Sequence, residues 1–175
     1  MSIVSDIEKL KKEKNAVILA HYYVDDDVQD VADYIGDSFY LSKVATKVSQ
    51  DRIIFAGVEF MGESAKILNP EKRVFMPDIN ADCPMAHMAD KDEILKLREQ
   101  YDDLAVVCYI NSTAELKKYS DVCVTSSNAV KIVKNLPDKN IFFIPDRNLG
   151  HFVAKQCPDK NFIFNNGCCP RHVVI

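Results

Sequence analysis

The sequence predicts an α/β protein built from two copies of one unit, each a short parallel sheet covered by helices. Three observations predict it. Strand-sized apolar runs such as AVILA (16–20) and IFFI (141–144) end at polar residues. They alternate with helix-sized segments, the pattern of crossover connections between parallel strands. A set of residues also recurs at one fixed offset.

Taken in order, Ser5–Lys14 reads as a helix and Ala16–Ala20 as a buried strand. Asp27–Tyr34 and Phe39–Ser49 read as helices, RIIFAG (52–57) as a strand, Phe60–Leu68 as a helix and RVFMP (73–77) as a strand. That strand leads into DCPMAHMAD (82–90), where Cys83 directly precedes a proline. Lys91–Gln100 reads as a helix with Asp90 as its N-cap. The cycle then restarts with strand 104–110, helix Thr113–Tyr119, strand 121–125 and helix Asn128–Lys134. Strand 140–145, helix Leu149–Gln156 and strand 161–164 complete it, before a second Cys-Pro pair in GCCPRH (167–172).

The restart is arithmetical. Asp33 and Asp121, Ser38 and Ser126, Phe55 and Phe143, Gly62 and Gly150, Pro70 and Pro158, and Lys72 and Lys160 all stand 88 residues apart. The expected units are residues 1–88 and 89–175. Cys83 and Cys169 are 86 apart, which a two-residue gap in the second loop explains. Related units around a pseudo-axis aim equivalent loops at a common centre, beyond the C-terminal ends of the strands where ligands bind. Cys83 and Cys169 therefore read as ligands of one shared metal site. Two thiolates alone do not complete a zinc or iron–sulfur site.

Other paired residues would rim the same centre. His21 in AHYY aligns with Tyr109 in CYINS, and Tyr23 with Asn111. Their donors, acceptors and aromatic bodies suit a small polar ligand. GDS (36–38) and TSS (125–127) each follow a strand and open a helix, a natural seat for phosphate or carboxylate. As isolated residues, Ser38 and Ser126 read more simply as N-caps. His21 reads equally as a hydrogen-bonded structural histidine, and Tyr23 and Tyr109 as packing residues. Cys108 and Cys123 read as small core residues, and Cys157 as part of an exposed turn. Cys168 competes with Cys169, but only Cys169 precedes proline.

Composition narrows the classes. The chain has 175 residues, 47% of them hydrophobic, enough for one ordinary core or two small ones. A net charge of −4 offers no basic surface for nucleic acid or an anionic membrane. No apolar run approaches the roughly 18 residues of a membrane helix. The N-terminal stretch lacks a signal peptide's apolar region, so a cytoplasmic location is expected. Six cysteines there would be thiols or metal ligands.

The motifs ILAHYY, DVADYIGDS, GVEFMGESAKILNP, DCPMA, YINST, TSSNAV, PDRNLG and CCPRH, in this order, resemble the quinolinate synthase family from about residue 7 onward. The resemblance implies tandem three-layer αβα units with short parallel sheets related by pseudo-symmetry. It implies condensation of iminoaspartate with dihydroxyacetone phosphate to give quinolinate, water and phosphate, a step of NAD biosynthesis. It implies a [4Fe–4S] cluster bound by one cysteine from each of three units, here Cys83 and Cys169. His21 and Tyr23 would line the substrate pocket and assist proton transfer, with Tyr109 also catalytic. Tyr109 and Asn111 would hydrogen-bond the substrate, Ser38 and Ser126 would hold its phosphate or carboxylate, and His172 would lie near the cluster. Partners implied are the two small substrates, an L-aspartate oxidase supplying iminoaspartate, and a second copy in a homo-oligomer.

Family members continue past the point matching residue 175, into a third unit with the third cluster cysteine. The 175 residues are accordingly expected to be a piece of the enzyme that holds a cluster poorly and catalyses weakly or not at all. Two other readings compete: a non-enzymatic two-unit module binding a metal or an anion, and a two-lobed small-molecule receptor.

Overall fold

The computed structural model describes residues 2–170, and the chain divides into two compact units, Met1–Asp82 and Cys83–Ile175. The first runs α1 (Ile3–Glu13), β1 (Ala16–His21), α2 (Asp26–Gln29), β2 (Tyr34–Gly36), α3 (Ser38–Ala45), β3 (Arg52–Ala56), α4 (Glu59–Leu68) and β4 (Arg73–Phe75). Its four strands are all parallel, in the order β2-β1-β3-β4. The second opens with a 3₁₀ turn, Pro84–His87. It continues through α5 (Lys91–Gln100), β5 (Leu104–Tyr109), α6 (Ala114–Lys118), β6 (Val122–Val124), α7 (Ala129–Asn135), β7 (Asn140–Ile144), α8 (Arg147–Gln156) and β8 (Asn161–Phe164). Its parallel order is β6-β5-β7-β8.

The offset seen in the sequence is the offset of the structure. Val17 pairs with Ile53 as Ala105 pairs with Ile141, and Leu19 with Tyr34 as Val107 with Val122. Asp33 Oδ2 accepts from the Ile18 N–H at 2.8 Å, and Asp121 Oδ2 from the Val106 N–H at 2.7 Å. Lys72 donates to the Val48 carbonyl and Lys160 to the Leu136 carbonyl, each at 2.6 Å. These residues recur because each satisfies a backbone group that the sheet or a helix end leaves unpaired. Gly62 lies against Met76 and Gly150 against Phe164; a Cβ at Gly150 would sit 3.0 Å from the Phe164 ring. The missing side chain brings each helix close to its last strand.

Helices cover both faces of the second sheet. Ala105, Val107, Ile141 and Phe143 pack with Ala129 and Val133 of α7 and Val153 of α8. The alternate residues Leu104, Val106, Cys108, Phe142 and Ile144 face Ile94 of α5 and Leu116 of α6. This alternation gives the three layers of an αβα unit. Among the described residues, no helix is long and apolar enough to cross a membrane.

One expected element is wrong. The helix expected over Asp27–Tyr34 is only the four-residue α2, and Tyr34–Gly36 is the edge strand β2. Asp33 ends the helix because both its N–H and its carboxylate bond the Ile18 backbone, at 2.9 and 2.8 Å, committing the next residues to pairing with β1. The repeat carried the signal: Asp121, its counterpart, directly precedes β6.

Candidate functional site

The apolar run of β1 ends at His21, which is 8% exposed, and the chain turns there with the Val24 N–H donating to the His21 carbonyl at 3.0 Å. The turn stacks three rings. His21 lies 4.6 Å from Tyr22 and 4.7 Å from Tyr23, and the two tyrosines meet edge-on at 4.6 Å. His21 Nδ1 accepts from the Tyr23 N–H at 3.2 Å, so in the neutral ring the proton sits on Nε2. Burial lowers the His21 pKa below its ordinary value, partly opposed by the Asp37 carboxylate. Tyr23 itself is 82% exposed.

Ser38 is half-buried and is the first residue of α3, not its cap. Asp37 caps that helix, accepting from the Tyr40 N–H at 2.7 Å. An anion bound at this helix start would meet the Ser38 side chain but compete with the Asp37 charge. Ser126 differs more. It is exposed and lies in a turn ahead of α7, whose N-cap is Asn128, so the expectation that TSS opens the helix directly is corrected. Asn128 Oδ1 instead accepts from the Thr125 N–H at 2.7 Å, and the Thr125 and Ser127 hydroxyls pair at 2.9 Å. That turn spends the residues a helix start would have used.

In the second unit, β5 ends at Tyr109, half-buried, whose carbonyl accepts from the Ser112 hydroxyl at 2.8 Å. The bond folds the chain back and brings Asn111 into a half-buried position. Asn111 Oδ1 is buried without a hydrogen-bond partner among the described residues. Such an acceptor costs about 1–3 kcal/mol when left unpaired; Asn165 Oδ1 is in the same state among the described residues.

Cys83 and Cys169 are both half-buried and neither is in a disulfide. Cys83 caps the 3₁₀ turn Pro84–His87, and its carbonyl accepts from the Ala86 N–H at 2.9 Å. Two residues tie this turn to the loop that carries Cys169. The Asn165 side chain donates to the Met88 carbonyl at 2.7 Å. Gly167 lies so close that a Cβ there would come within 2.8 Å of the Met88 Cβ and 2.5 Å of the Pro145 carbonyl oxygen. Gly167 is therefore needed for close approach rather than for an unusual φ. The two Cys-Pro loops thus belong to one fastened assembly inside the second unit. Cys168 is also half-buried, and His172 lies outside the described residues.

Thiolates are the right donors in kind for an iron–sulfur cluster, but two are too few in number. Among the described residues no group of three His, Cys, Asp or Glu side chains gathers to hold a metal ion. Two other cysteines depart from expectation. Cys157 is fully buried at the end of α8, within the core, rather than in an exposed turn. Cys123 is exposed on the edge strand β6 rather than buried. Sequence reasoning also passed over Tyr22, Asp37, Asn165 and Gly167. Of these, the repeat pointed to Asp37, since its counterpart Thr125 stands beside Ser126; Asn165 has Pro77 at the same offset and gave no signal.

Comparison with known proteins agrees with these motifs. The family model for quinolinate synthetase A protein (NadA) matches residues 5–175. A quinolinate synthase of Fusobacterium nucleatum is 64% identical over 97% of this chain and 57% of its own length. One from Clostridioides difficile is 55% identical over 95% of this chain and 55% of its own. One from Caldicellulosiruptor saccharolyticus is 53% identical over 99% and 57%. The chain thus spans a little over half the length of the curated relatives it matches. With both sheets, the paired polar ends of β1 and β5 and the two Cys-Pro loops within the matched span, the chain belongs to the quinolinate synthetase A protein family.

Proposed function

We propose that the chain carries part of a quinolinate synthase, the apparatus that condenses iminoaspartate with dihydroxyacetone phosphate to quinolinate, water and phosphate in NAD biosynthesis. The structural observation that supports the reading is the buried Asn111 Oδ1 on the loop after β5, which has no hydrogen-bond partner among the described residues and suits a substrate donor. Tyr109 orients the substrate beside it. His21, neutral with its proton on Nε2, moves protons, and Tyr23 and the Ser38 and Ser126 hydroxyls bind the polar and phosphate ends. Cys83 and Cys169 would hold a [4Fe–4S] cluster together with a further ligand. When bound, its open iron supplies Lewis acidity toward a hydroxyl or carboxylate oxygen. An L-aspartate oxidase supplying iminoaspartate, self-association and a cytoplasmic location belong to the same proposal.

Anaerobic iron–sulfur reconstitution tests it, read by iron and sulfide content and visible absorption for the chain and its Cys83→Ser and Cys169→Ser variants. Cluster content that falls in both variants supports the ligand assignment, and quinolinate formation from the two substrates is then assayed. Equal iron and sulfide in all three proteins would overturn it.

A further inference from the structure

Cys108 and Cys123 stand directly opposite each other in the β5–β6 register. Neighbouring strands run about 4.7–4.9 Å apart. Disulfides span Cα separations of about 4.4–6.8 Å. Partners in register also point to the same face of the sheet, here the face covered by α5 and α6. Neither thiol is oxidised. The two differ in access: Cys108 is fully buried, whereas Cys123 is exposed on the edge strand. An exposed thiol backed by a buried one is the arrangement of an attacked cysteine and its resolving partner.

We infer that Cys108 and Cys123 form an oxidisable dithiol, in which a peroxide oxidises Cys123 and Cys108 closes the disulfide. Cys123 sulfur attacks the peroxide O–O bond, giving a sulfenic acid and one water. Cys108 sulfur then attacks the Cys123 sulfur; the S–S bond forms and hydroxide leaves, taking up a proton as a second water. The two thiols together lose two electrons and two protons, and the peroxide takes up both.

The surroundings favour a thiolate on Cys108, the sulfur that closes the disulfide, and not on Cys123. The Cys108 pKa is lowered to about 7, chiefly by hydrogen bonding from the Cys123 thiol, with the Ser112 and Ser120 hydroxyls and the Lys117 charge adding to it and burial opposing. The Cys123 pKa is raised, first by that same bond. The pair therefore gives up its first proton readily and holds its second. Cys108 also donates weakly to the Tyr109 carbonyl, at 3.4 Å, a contact the disulfide would remove. Cys157, by contrast, is sealed in the core, with burial raising its pKa. The inference does not depend on the proposed activity, since neither thiol belongs to the Cys83 and Cys169 assembly.

Peptide mapping tests it. The reduced protein is treated with hydrogen peroxide, remaining thiols are alkylated, and trypsin is added. Cleavage after Lys117 and Lys118 puts the two cysteines in separate peptides, 99–117 and 119–131. The expected product is the cross-linked pair, lighter by two hydrogens than the reduced peptides together. It should vanish in Cys108→Ser and Cys123→Ser, and form much less when the same protein is oxidised in urea. Oxidation that stops on Cys123, a link from Cys123 to another cysteine, or equal yield in urea would overturn the inference.

Discussion

The two sheets share strand order and register, yet their first helices cover them differently. In the second unit, α5 buries Ile94 fully against Val106 and Phe142, which are also fully buried. In the first unit, α1 buries no residue, Phe75 stays 45% exposed, and an apolar groove lined by Ile7, Leu10, Ile18, Ile54 and Phe75 stays open. At the repeat offset, Asp6 stands where Ile94 does, and Lys9 where Leu97 does. The strands and their caps tolerate little change because each satisfies specific backbone groups. A covering helix needs only an apolar stripe somewhere on its surface, and that stripe has moved.

The loops that follow the last strands differ as well. In the first unit, Ile79 is 92% exposed and Asp78 turns the loop, accepting from the Asn80 N–H at 2.8 Å. In the second unit, Asn165 and Gly167 fasten the corresponding loop to Met88. Both loops bond a helix start, the Ala81 and Gly167 carbonyls accepting from the Glu59 and Arg147 N–H at 2.8 Å, but only the second loop also holds Met88.

The largest expected effect tests the helix contrast. Ile94→Ala should cost about 2–5 kcal/mol, as truncations of fully buried side chains do. Leu10→Ala, at a position 49% exposed, should cost well under 1 kcal/mol. Urea denaturation, with hydrogen exchange assigning the loss to peptides of each unit, checks this; equal losses would erase the distinction between the two faces.

A smaller effect sharpens the loop contrast. Asn165→Ala leaves the Met88 carbonyl without its side-chain donor, at about 1–3 kcal/mol. It should also speed alkylation of Cys83 and Cys169. Ile79→Ala in the freer loop should stay within about 0.5 kcal/mol and leave both rates unchanged. Unaltered alkylation in the Asn165 variant would show that its bond does not position the cysteines.

The smallest effect concerns His21. Its NMR titration should fall below the ordinary value of 6.5, since burial disfavours the imidazolium. Asp37→Asn should lower the midpoint further, because the Asp37 charge now raises it. The unfolded chain binds the proton more readily, so stability drawn from the neutral ring is present above 6.5 and is lost as pH falls toward the lowered midpoint. A midpoint that rises in Asp37→Asn would remove Asp37 from the site.

Much of the fold was legible because apolar runs report strands directly, and because the 88-residue offset aligns Asp33 with Asp121 and Lys72 with Lys160. The strand Tyr34–Gly36 was misread from its local sequence, since edge pairing to Leu19 decides it and that pairing is not local. His21, Tyr109 and Asn111 were found from their places after strands. Asp37 was not, because a cap is recognised only when the helix start is known to the residue.

By itself the sequence determined two α/β units with parallel strands, repeated at one offset, and two Cys-Pro loops after their last strands; the strand order came from the structure. Periodicity and repetition carry that information along the chain. Tertiary structure alone decided which thiols are buried, reversing the readings of Cys123 and Cys157. It alone left Asn111 Oδ1 without a partner among the described residues, tied Asn165 to Met88 and set Cys108 against Cys123. Burial and pairing depend on segments distant in sequence meeting in space, and no local pattern of residue types encodes that meeting.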